Sequence, residues 1–450
     1  MKKDVVIIGG GPGGYVAGPI LAAGGLSVAC VEMEVIGGTC LKYGCMPTKS
    51  LAAVSACIEK VKHADRYGLT IGAWEVDYPA AMERAHTHVK KLAAGCESKF
   101  AKCGIAVFKG HGALKDEHTV LVTPYEEEPF EIEADKIILD VGSRSAQIAP
   151  FGSDPAILTN KEILALDELP RSLLIVGSGV MGCEFACIYA NFGTKVTMVE
   201  FMDRVLPPVD ADIAALMQEK LEAMGIELEL GTKVESYEKK DGLYRCKLAN
   251  GKSVEAEKVL VVVGRTPNSD DIGLENIAIQ TTGRGHICVD EHLRTASPSI
   301  YAIGDVIGGT FAHVSRLEGE YVAKNILGAD IAMDYRVVPW AIFTSLEVAG
   351  VGFTEQQAKK QGVAYTASVA KFSANGKAMV SDEGEGFVKV LAEPQNKRIL
   401  GAQIIGPHAS DLIHEMALAI KCNLSAQDIS AMIHVHPTLA ETVLKACQEI

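Results

Sequence analysis

Val5-Val6-Ile7-Ile8-Gly9-Gly10-Gly11-Pro12-Gly13-Gly14 joins a short apolar run to a glycine cluster spaced G-x-G-x-x-G. Four consecutive branched apolar residues read as a buried parallel strand. The glycines after it permit a tight turn and close backbone approach to a pyrophosphate at a helix N-terminus. An alanine-rich helix is expected next, then a second strand over Val28-Ala29-Cys30-Val31 closing on Glu32. Gly9, Gly11 and Gly14 supply the loop, and the Glu32 carboxylate is placed to accept a ribose hydroxyl. A glycine loop alone is a weak signal, whereas strand, loop, helix, strand and acid in this order make a strong one.

The unit recurs. Leu173-Leu174-Ile175-Val176 leads into Gly177-Ser178-Gly179-Val180-Met181-Gly182, and Val196-Thr197-Met198-Val199 closes on Glu200. Gly9 to Glu32 and Gly177 to Glu200 have the same spacing, so the chain is expected to bind two dinucleotides, or one across both sites. Glu200 would repel a 2′-phosphate and accept a 2′-hydroxyl, so NAD is expected at Gly177, Gly179 and Gly182 in preference to NADP.

A chain of 450 residues is long enough for roughly three domains. With 57 acidic against 43 basic residues, its formal charge of -14 repels nucleic acid and anionic membranes. The N-terminal apolar run is too short for a secretory signal, and no stretch reaches the length of a membrane span. Twelve cysteines scattered over the chain are unlike the dense framework of a small secreted domain, so the reducing cytoplasm is the expected compartment.

Downstream of the first loop, Gly37-Gly38-Thr39-Cys40-Leu41-Lys42-Tyr43-Gly44-Cys45-Met46-Pro47-Thr48-Lys49 holds two cysteines. On an ideal helix, residues five apart are rotated by roughly 140° and offset by about 7.5 Å, which suits a disulfide poorly. A distortion at Gly44 would relieve that. Read alone, the two are either small buried hydrophobes or a redox pair able to exchange electrons with the ligand of the loop.

Between the units, Met82, Ala85, Val89, Leu92 and Cys96 recur at helical spacing, which predicts a helix packed on another that begins near Thr48. His86 and His88 form an H-x-H pair, but residues two apart face different sides of a helix. Residues 259–263 read as a buried strand ending in Gly264-Arg265-Thr266-Pro267-Asn268, and Ile300-Tyr301-Ala302-Ile303-Gly304-Asp305 delivers an aspartate at a glycine turn. Asp305 suits either a sugar hydroxyl or a helix cap. Farther on, residues 386–391 and 399–406 read as antiparallel strands. In His434-Val435-His436-Pro437-Thr438-Leu439-Ala440-Glu441, Pro437 is expected in a helix's first turn, with His436 at its start and Glu441 within the next turn. A histidine oriented by a carboxylate is the usual general base for a thiol. Zinc ligation by His434 and His436 competes with that reading but lacks a third ligand nearby.

The stretches GGTCLKYGCMPTK, both glycine loops, VGRTPN, YAIGDV, FSANGKAM and HVHPTLAE stand in this order. Through them the chain, from Val5 to its end, resembles the pyridine nucleotide-disulfide oxidoreductases, and within them the branch that oxidises dihydrolipoamide. The resemblance implies an α/β fold: two Rossmann-like dinucleotide-binding domains, for FAD and NAD, plus an α+β C-terminal dimerisation domain. It divides the chain into residues 1–145 with FAD and a redox disulfide, 146–267 with NAD, 268–336 completing the FAD site, and 337–450 forming the dimer interface. Cys45 would be the thiol beside the flavin and Cys40 the one that exchanges with substrate. Lys49 would lie near the flavin with Glu184 as its partner, and Asp305 at the ribityl chain. His436 with Glu441 would be the base serving the disulfide of the other subunit. Further cofactor contacts fall at Gly38, Thr39, Gly112, Gly142, Ala312, Val234 and Gly264. No metal is implied. The expected partners are a second copy of the chain and lipoyl-bearing proteins: the E2 component of 2-oxoacid or acetoin dehydrogenase complexes, or the glycine cleavage H-protein.

Three positions depart from the family pattern. Asp140-Val141-Gly142 stands where A-T-G is common, Val180 where tyrosine or isoleucine is frequent, and Ser345-Leu346-Glu347 in place of H-P-E. A buried acid at position 140 is costly unless bonded. Among rival activities, glutathione reduction calls for basic residues in place of Glu200, and mercuric ion reduction for a vicinal cysteine pair at the C-terminus, where Cys447 stands alone. A soluble transhydrogenase would lack the Cys40 and Cys45 pair. A non-catalytic flavin sensor predicts a broken constellation, yet every catalytic position is filled.

Overall fold

The structure is a computed structural model that describes residues 1–309 and 311–450. Strand β1 (Lys2–Ile8), buried throughout residues 5–8, runs parallel to β2 (Val28–Glu32) on one side and β5 (Phe130–Leu139) on the other. Helix α1 (Pro12–Ala23) leaves directly from the glycine loop, with Pro12 in the first turn where a missing N–H costs nothing. Helices α2 (Gly38–Lys42), α3 (Cys45–Lys62) and α4 (Tyr78–Lys102) follow, and Leu51 and Ile58 of α3 share a core with Met82 and Ala85 of α4. Strand β3 (Ala106–Asp116) extends β2 in parallel with its first half. Its second half turns antiparallel onto β4 (Thr119–Pro124), which returns to β5.

The second unit repeats this plan. After the short β6 (Ser143–Ser145) and α5 (Asn160–Ile163), strand β7 (Ser172–Val176) feeds α6 (Val180–Phe192) and then β8 (Lys195–Val199). Helix α7 (Ala211–Ala223) and β9 (Glu227–Glu229) lead to an antiparallel meander of β10 (Val234–Lys240), β11 (Leu243–Leu248) and β12 (Ser253–Ala256). Strand β13 (Lys258–Val261) then returns beside β7, completing a parallel sheet in the order β13-β7-β8-β9. Registers match between the units: Ile8 pairs with Val31 as Val176 pairs with Val199.

Strand β14 (Arg265–Pro267) pairs antiparallel with β6, and β15 (Ile300–Ala302) rejoins the first sheet beside β5. Helix α8 (Ala312–Ile326) crosses α1 so closely that a Cβ at Gly319 would lie 2.3 Å from the Gly13 carbonyl oxygen.

The C-terminal part is an antiparallel sheet of β16 (Trp340–Ile342), β17 (Val348–Gly352), β18 (Thr366–Lys371), β19 (Phe387–Ala392) and β20 (Ile399–Ile405), in the order β16-β17-β20-β19-β18. Helices α9 (Glu355–Gln361) and α10 (Gly376–Val380) lie within it in sequence, and α11 (Ala409–Lys421), α12 (Ala426–Ser430) and α13 (Ala440–Gln448) follow. Ile413, Met416, Val443 and Ala446 bury the helices against the sheet. The opposite face meets the second unit. There Lys389 of β19, 3% exposed, reaches Asp212 of α7 at 2.6 Å, Asp210 at 3.5 Å and Glu355 of α9 at 3.8 Å. Gln403 of β20 donates to Asp210 Oδ2 at 2.6 Å.

One local expectation is corrected: helix α13 begins at Ala440, not at Pro437. The His436–Pro437 peptide is cis, and the residues after it form a turn closed by Thr438 N–H on Glu441 Oε2 at 2.9 Å and Thr438 Oγ1 on the Val435 carbonyl at 2.7 Å. Among the described residues, no helix is long and apolar enough to cross a membrane.

Candidate active site

Helix α2 ends at Lys42 and α3 begins at Cys45, so the chain breaks its helical course over Tyr43 and Gly44. A Cβ at Gly44 would lie 3.0 Å from the Thr39 carbonyl oxygen and 3.2 Å from Cys40 Cα. A side chain there would crowd the two helix ends, and the distortion brings Cys40 and Cys45, both free thiols here, into hydrogen-bonding contact. Their acidities separate. The Cys40 hydrogen bond and the Lys49 ammonium pull Cys45 down to about 7 against the opposing effect of burial. Hydrogen bonding to Cys45 and burial together push Cys40 up. Cys45 also opens α3, where the free amides of a first turn favour a thiolate.

One turn on, Lys49 donates to Glu184 Oε1 at 2.8 Å and Oε2 at 2.9 Å. Glu184 lies on α6, its side chain 3% exposed, and Oε1 also accepts Phe343 N–H at 2.9 Å. The Lys49 ammonium stands 4.5 Å from the Phe343 ring centroid.

The glycine loops are cradles in which added carbon would strike backbone. A Cβ at Gly14 would lie 2.5 Å from Gly9 O, and one at Gly182 would lie 2.0 Å from Gly177 O. Gly38, at φ +59°, would place a Cβ 2.9 Å from Gly11 Cα. The acids that close the units are bonded alike. Glu32 accepts Gly10 N–H at 2.6 Å and Glu34 N–H at 2.7 Å, while Glu200 accepts Ser178 N–H at 2.7 Å and Met202 N–H at 2.9 Å. Each carboxylate is thereby aimed along its own loop.

A single cleft of about 2230 Å³ connects these parts. Gly9, Gly11, Glu32, Gly38, Thr39, Gly112, Gly142, Asp305 and Ala312 line one arm, and Gly177, Gly179, Glu200, Val234 and Gly264 the other, with Cys40, Cys45, Lys49 and Glu184 between them. Gly14 and Gly182 lie behind it in the first turns of α1 and α6. Space, glycine cradles and the bonded acids fit two dinucleotides.

His436 and Glu441 are elsewhere. His436 Nδ1 is 2.9 Å from Glu441 Oε1, and the histidine is 78% exposed on the C-terminal domain, outside the cleft. The Thr438 amide, then His436, hold Glu441 below the usual carboxylate range. His434 instead pairs with Glu415 at 3.0 Å. His86 contacts the Leu164 carbonyl and His88 the Ser50 hydroxyl, so the H-x-H pair diverges.

Two residues at the site had not been singled out. The Arg265 guanidinium donates to Ser143 Oγ at 2.6 Å and lies 3.4 Å from Asp305, and Ser143 Oγ donates to Asp305 Oδ2. They fix the aspartate on the cleft wall. The VGRTPN stretch was the available signal for Arg265.

Residues 3–320 match the family described as pyridine nucleotide-disulphide oxidoreductase, and residues 338–447 match its dimerisation domain. The chain belongs to the pyridine nucleotide-disulphide oxidoreductase family. Its cofactors are FAD and NAD, and the dimerisation domain supports a homodimer. The chain is 38% identical over 452 residues to a dihydrolipoyl dehydrogenase of Geobacillus stearothermophilus, covering 100% of this chain and 96% of the relative. It is 36% identical over 453 residues to that of Bacillus subtilis, with the same coverage. Among solved structures, LpdA from Mycobacterium tuberculosis aligns with a TM-score of 0.93 at 28% identity, over 100% of this chain and 99% of the other. The Cu(II) complex of the HOCl-induced flavoprotein disulfide reductase RclA from Escherichia coli aligns with a TM-score of 0.91 at 27% identity, over 100% of both chains.

Proposed function

We propose that this protein is a dihydrolipoyl dehydrogenase, oxidising protein-bound dihydrolipoamide and reducing NAD. The observation that carries the reading is the Cys40 and Cys45 pair beside the Lys49–Glu184 ion pair in a cleft shared by both glycine loops. FAD belongs on the arm of Gly9, Gly11, Gly14, Glu32 and Asp305, and NAD on the arm of Gly177, Gly179, Gly182 and Glu200. FAD held there would supply two-electron redox chemistry between the dithiol and NAD.

The chain's own residues account for the thiol chemistry. The partner subunit's His436, oriented by its carboxylate, takes a proton from a dihydrolipoamide thiol. The resulting thiolate attacks Cys40 Sγ of the Cys40–Cys45 disulfide, forming a mixed disulfide and releasing Cys45 as thiolate. The second substrate sulfur then displaces Cys40, closing the lipoamide ring and leaving the enzyme as a dithiol. Lys49 holds the negative charge on Cys45, and Glu184 holds Lys49. Exposure of His436 outside the cleft of its own chain supports a base supplied across the dimer.

The substrate carriers are lipoyl-bearing proteins, either the E2 component of 2-oxoacid or acetoin dehydrogenase complexes or the glycine cleavage H-protein, and the compartment is the cytoplasm. The test is NADH formation from dihydrolipoamide and NAD by the purified flavoprotein. Robust turnover, lost in Cys40→Ser and Cys45→Ser, is expected. Failure to oxidise dihydrolipoamide while NADH reduces other disulfides would overturn the reading in favour of a general disulfide reductase.

A further inference from the structure

The two dinucleotide units differ at one buried position beneath the loop. In the first, the residue after β5 is Asp140, whose N–H donates to the Ile8 carbonyl at 2.8 Å. Its counterpart after β13 is Val262, whose N–H donates to the Val176 carbonyl at 2.9 Å. Val262 offers no acceptor to its loop. Asp140 does: 5% exposed, it accepts Gly14 N–H on Oδ2 at 2.7 Å. A Cβ at Gly11 would lie 2.9 Å from the same oxygen, so the carboxyl sits directly under the loop. Gly14 belongs to the first turn of α1, where backbone amides serve a bound phosphate.

The charged groups around Asp140 are acids from three further elements: Glu32 at the end of β2, Asp305 after β15 and Glu318 of α8. The Cys30 thiol of β2 also senses it. Arg265 is turned to Asp305 and Ser143. Burial first, and then these acids, push the Asp140 carboxyl well up, and the Gly14 amide pulls it down. On the other side, Asp140 Oδ1 and the buried, unpartnered Ser315 Oγ lie 3.1 and 2.9 Å from the point a Cβ of Gly304 would occupy.

We propose that Asp140 makes flavin retention proton-linked: the first loop holds FAD while Asp140 is neutral, and ionisation of that carboxyl expels it. The neutral acid accepts the Gly14 amide and sets no charge against the loop. The ionised acid sets a carboxylate against a diphosphate at the same helix end. One proton is therefore taken up as FAD binds. The inference rests on the assignment of FAD to the first loop.

The test follows free FAD by fluorescence after ultrafiltration of the diluted holoenzyme, from about pH 6 to 9, for wild type, Asp140→Asn and Asp140→Ala. The alanine variant restores the residue common in the family pattern, so it is expected to fold. In wild type, Kd should rise about 10-fold per pH unit wherever Asp140 is ionised in the free protein and neutral in the complex. Both variants should show a flat profile and, at high pH, retain flavin more tightly. Calorimetry of wild type in buffers of different ionisation enthalpy should count a proton taken up per FAD in that window, which decides the matter even if a variant misfolds. A flat wild-type profile, no proton uptake, or an unchanged slope in Asp140→Asn would overturn the proposal. Protein that takes up no flavin at any pH would overturn the cofactor assignment together with it.

Discussion

Lys49 bridges both carboxylate oxygens of Glu184, at 2.8 and 2.9 Å, across the seam between α3 and α6. Because Glu184 also receives Phe343 N–H, one buried acid ties the cysteine helix, the second glycine-loop helix and the chain after β16 together. Lys49→Met leaves that acid without its cation. A loss of about 1–3 kcal/mol is expected, less than for a fully buried pair because Lys49 is partly exposed. The same variant should raise the Cys45 pKa above about 7, since Lys49 is one of the groups lowering it. Thermal melting and a pH titration of thiolate absorbance check the two effects separately.

Cys40→Ala should move Cys45 further than Lys49→Met does, because the Cys40 hydrogen bond is the foremost influence lowering it. The thiolate fraction of Cys45 then falls at neutral pH and recovers only as pH rises toward ordinary thiol values. The rate of alkylation at Cys45 against pH reads this directly. An unmoved inflection would show that Cys40 does not control its neighbour.

Gly182→Ala forces a Cβ to within 2.0 Å of the Gly177 carbonyl oxygen, a backbone atom that has nowhere to retreat. NAD binding should be lost while flavin content stays at the wild-type level. Gly14→Ala should do the reverse, with its 2.5 Å approach to Gly9 O. Flavin absorbance and NAD titration of the two variants distinguish the arms of the cleft.

Glu200→Ala removes the acceptor that Ser178 and Met202 amides hold in place. If it binds a ribose hydroxyl, loss of a charged hydrogen bond worth about 1.5–3 kcal/mol should raise KM for NAD by roughly 10- to 100-fold, with kcat little changed.

Cross-subunit catalysis can be tested by mixing two inactive homodimers, His436→Gln and Cys45→Ser, under conditions that let subunits exchange. Each mixed dimer contains one site with both intact groups, so random re-pairing should restore about a quarter of wild-type activity. No recovery, despite demonstrated exchange, would place His436 in service of its own chain.

The glycine loops and the Gly44 break were legible in the sequence because each is a local device, a turn or close approach encoded within a few residues. The same is true of helices α3 and α4, whose apolar spacing announces their shared face. Pro437 misled because a proline before a helix fits either its first turn or the turn before it; the structure takes the latter, with the Thr438 carbonyl accepting from Asn375 Nδ2 at 3.0 Å. Ser143 and Arg265 reach Asp305 from distant strands, a convergence that no local pattern records. Asp140 stood out as a departure, but its partner amide on Gly14 is visible only once β5 lies beneath α1.

The buried Lys389 bears on how such a protein can be rearranged. The second dinucleotide unit looks like an exchangeable cassette, yet its Asp210 and Asp212 neutralise a cation embedded in the C-terminal sheet. Excising the cassette would strip Lys389 of Asp210 and Asp212, leaving Glu355 at 3.8 Å as its acid, and leave those two acids facing water. Recombination can therefore swap nucleotide preference only by carrying both sides of this junction together, and a chimaera that breaks it should fail in assembly before its chemistry is ever tried.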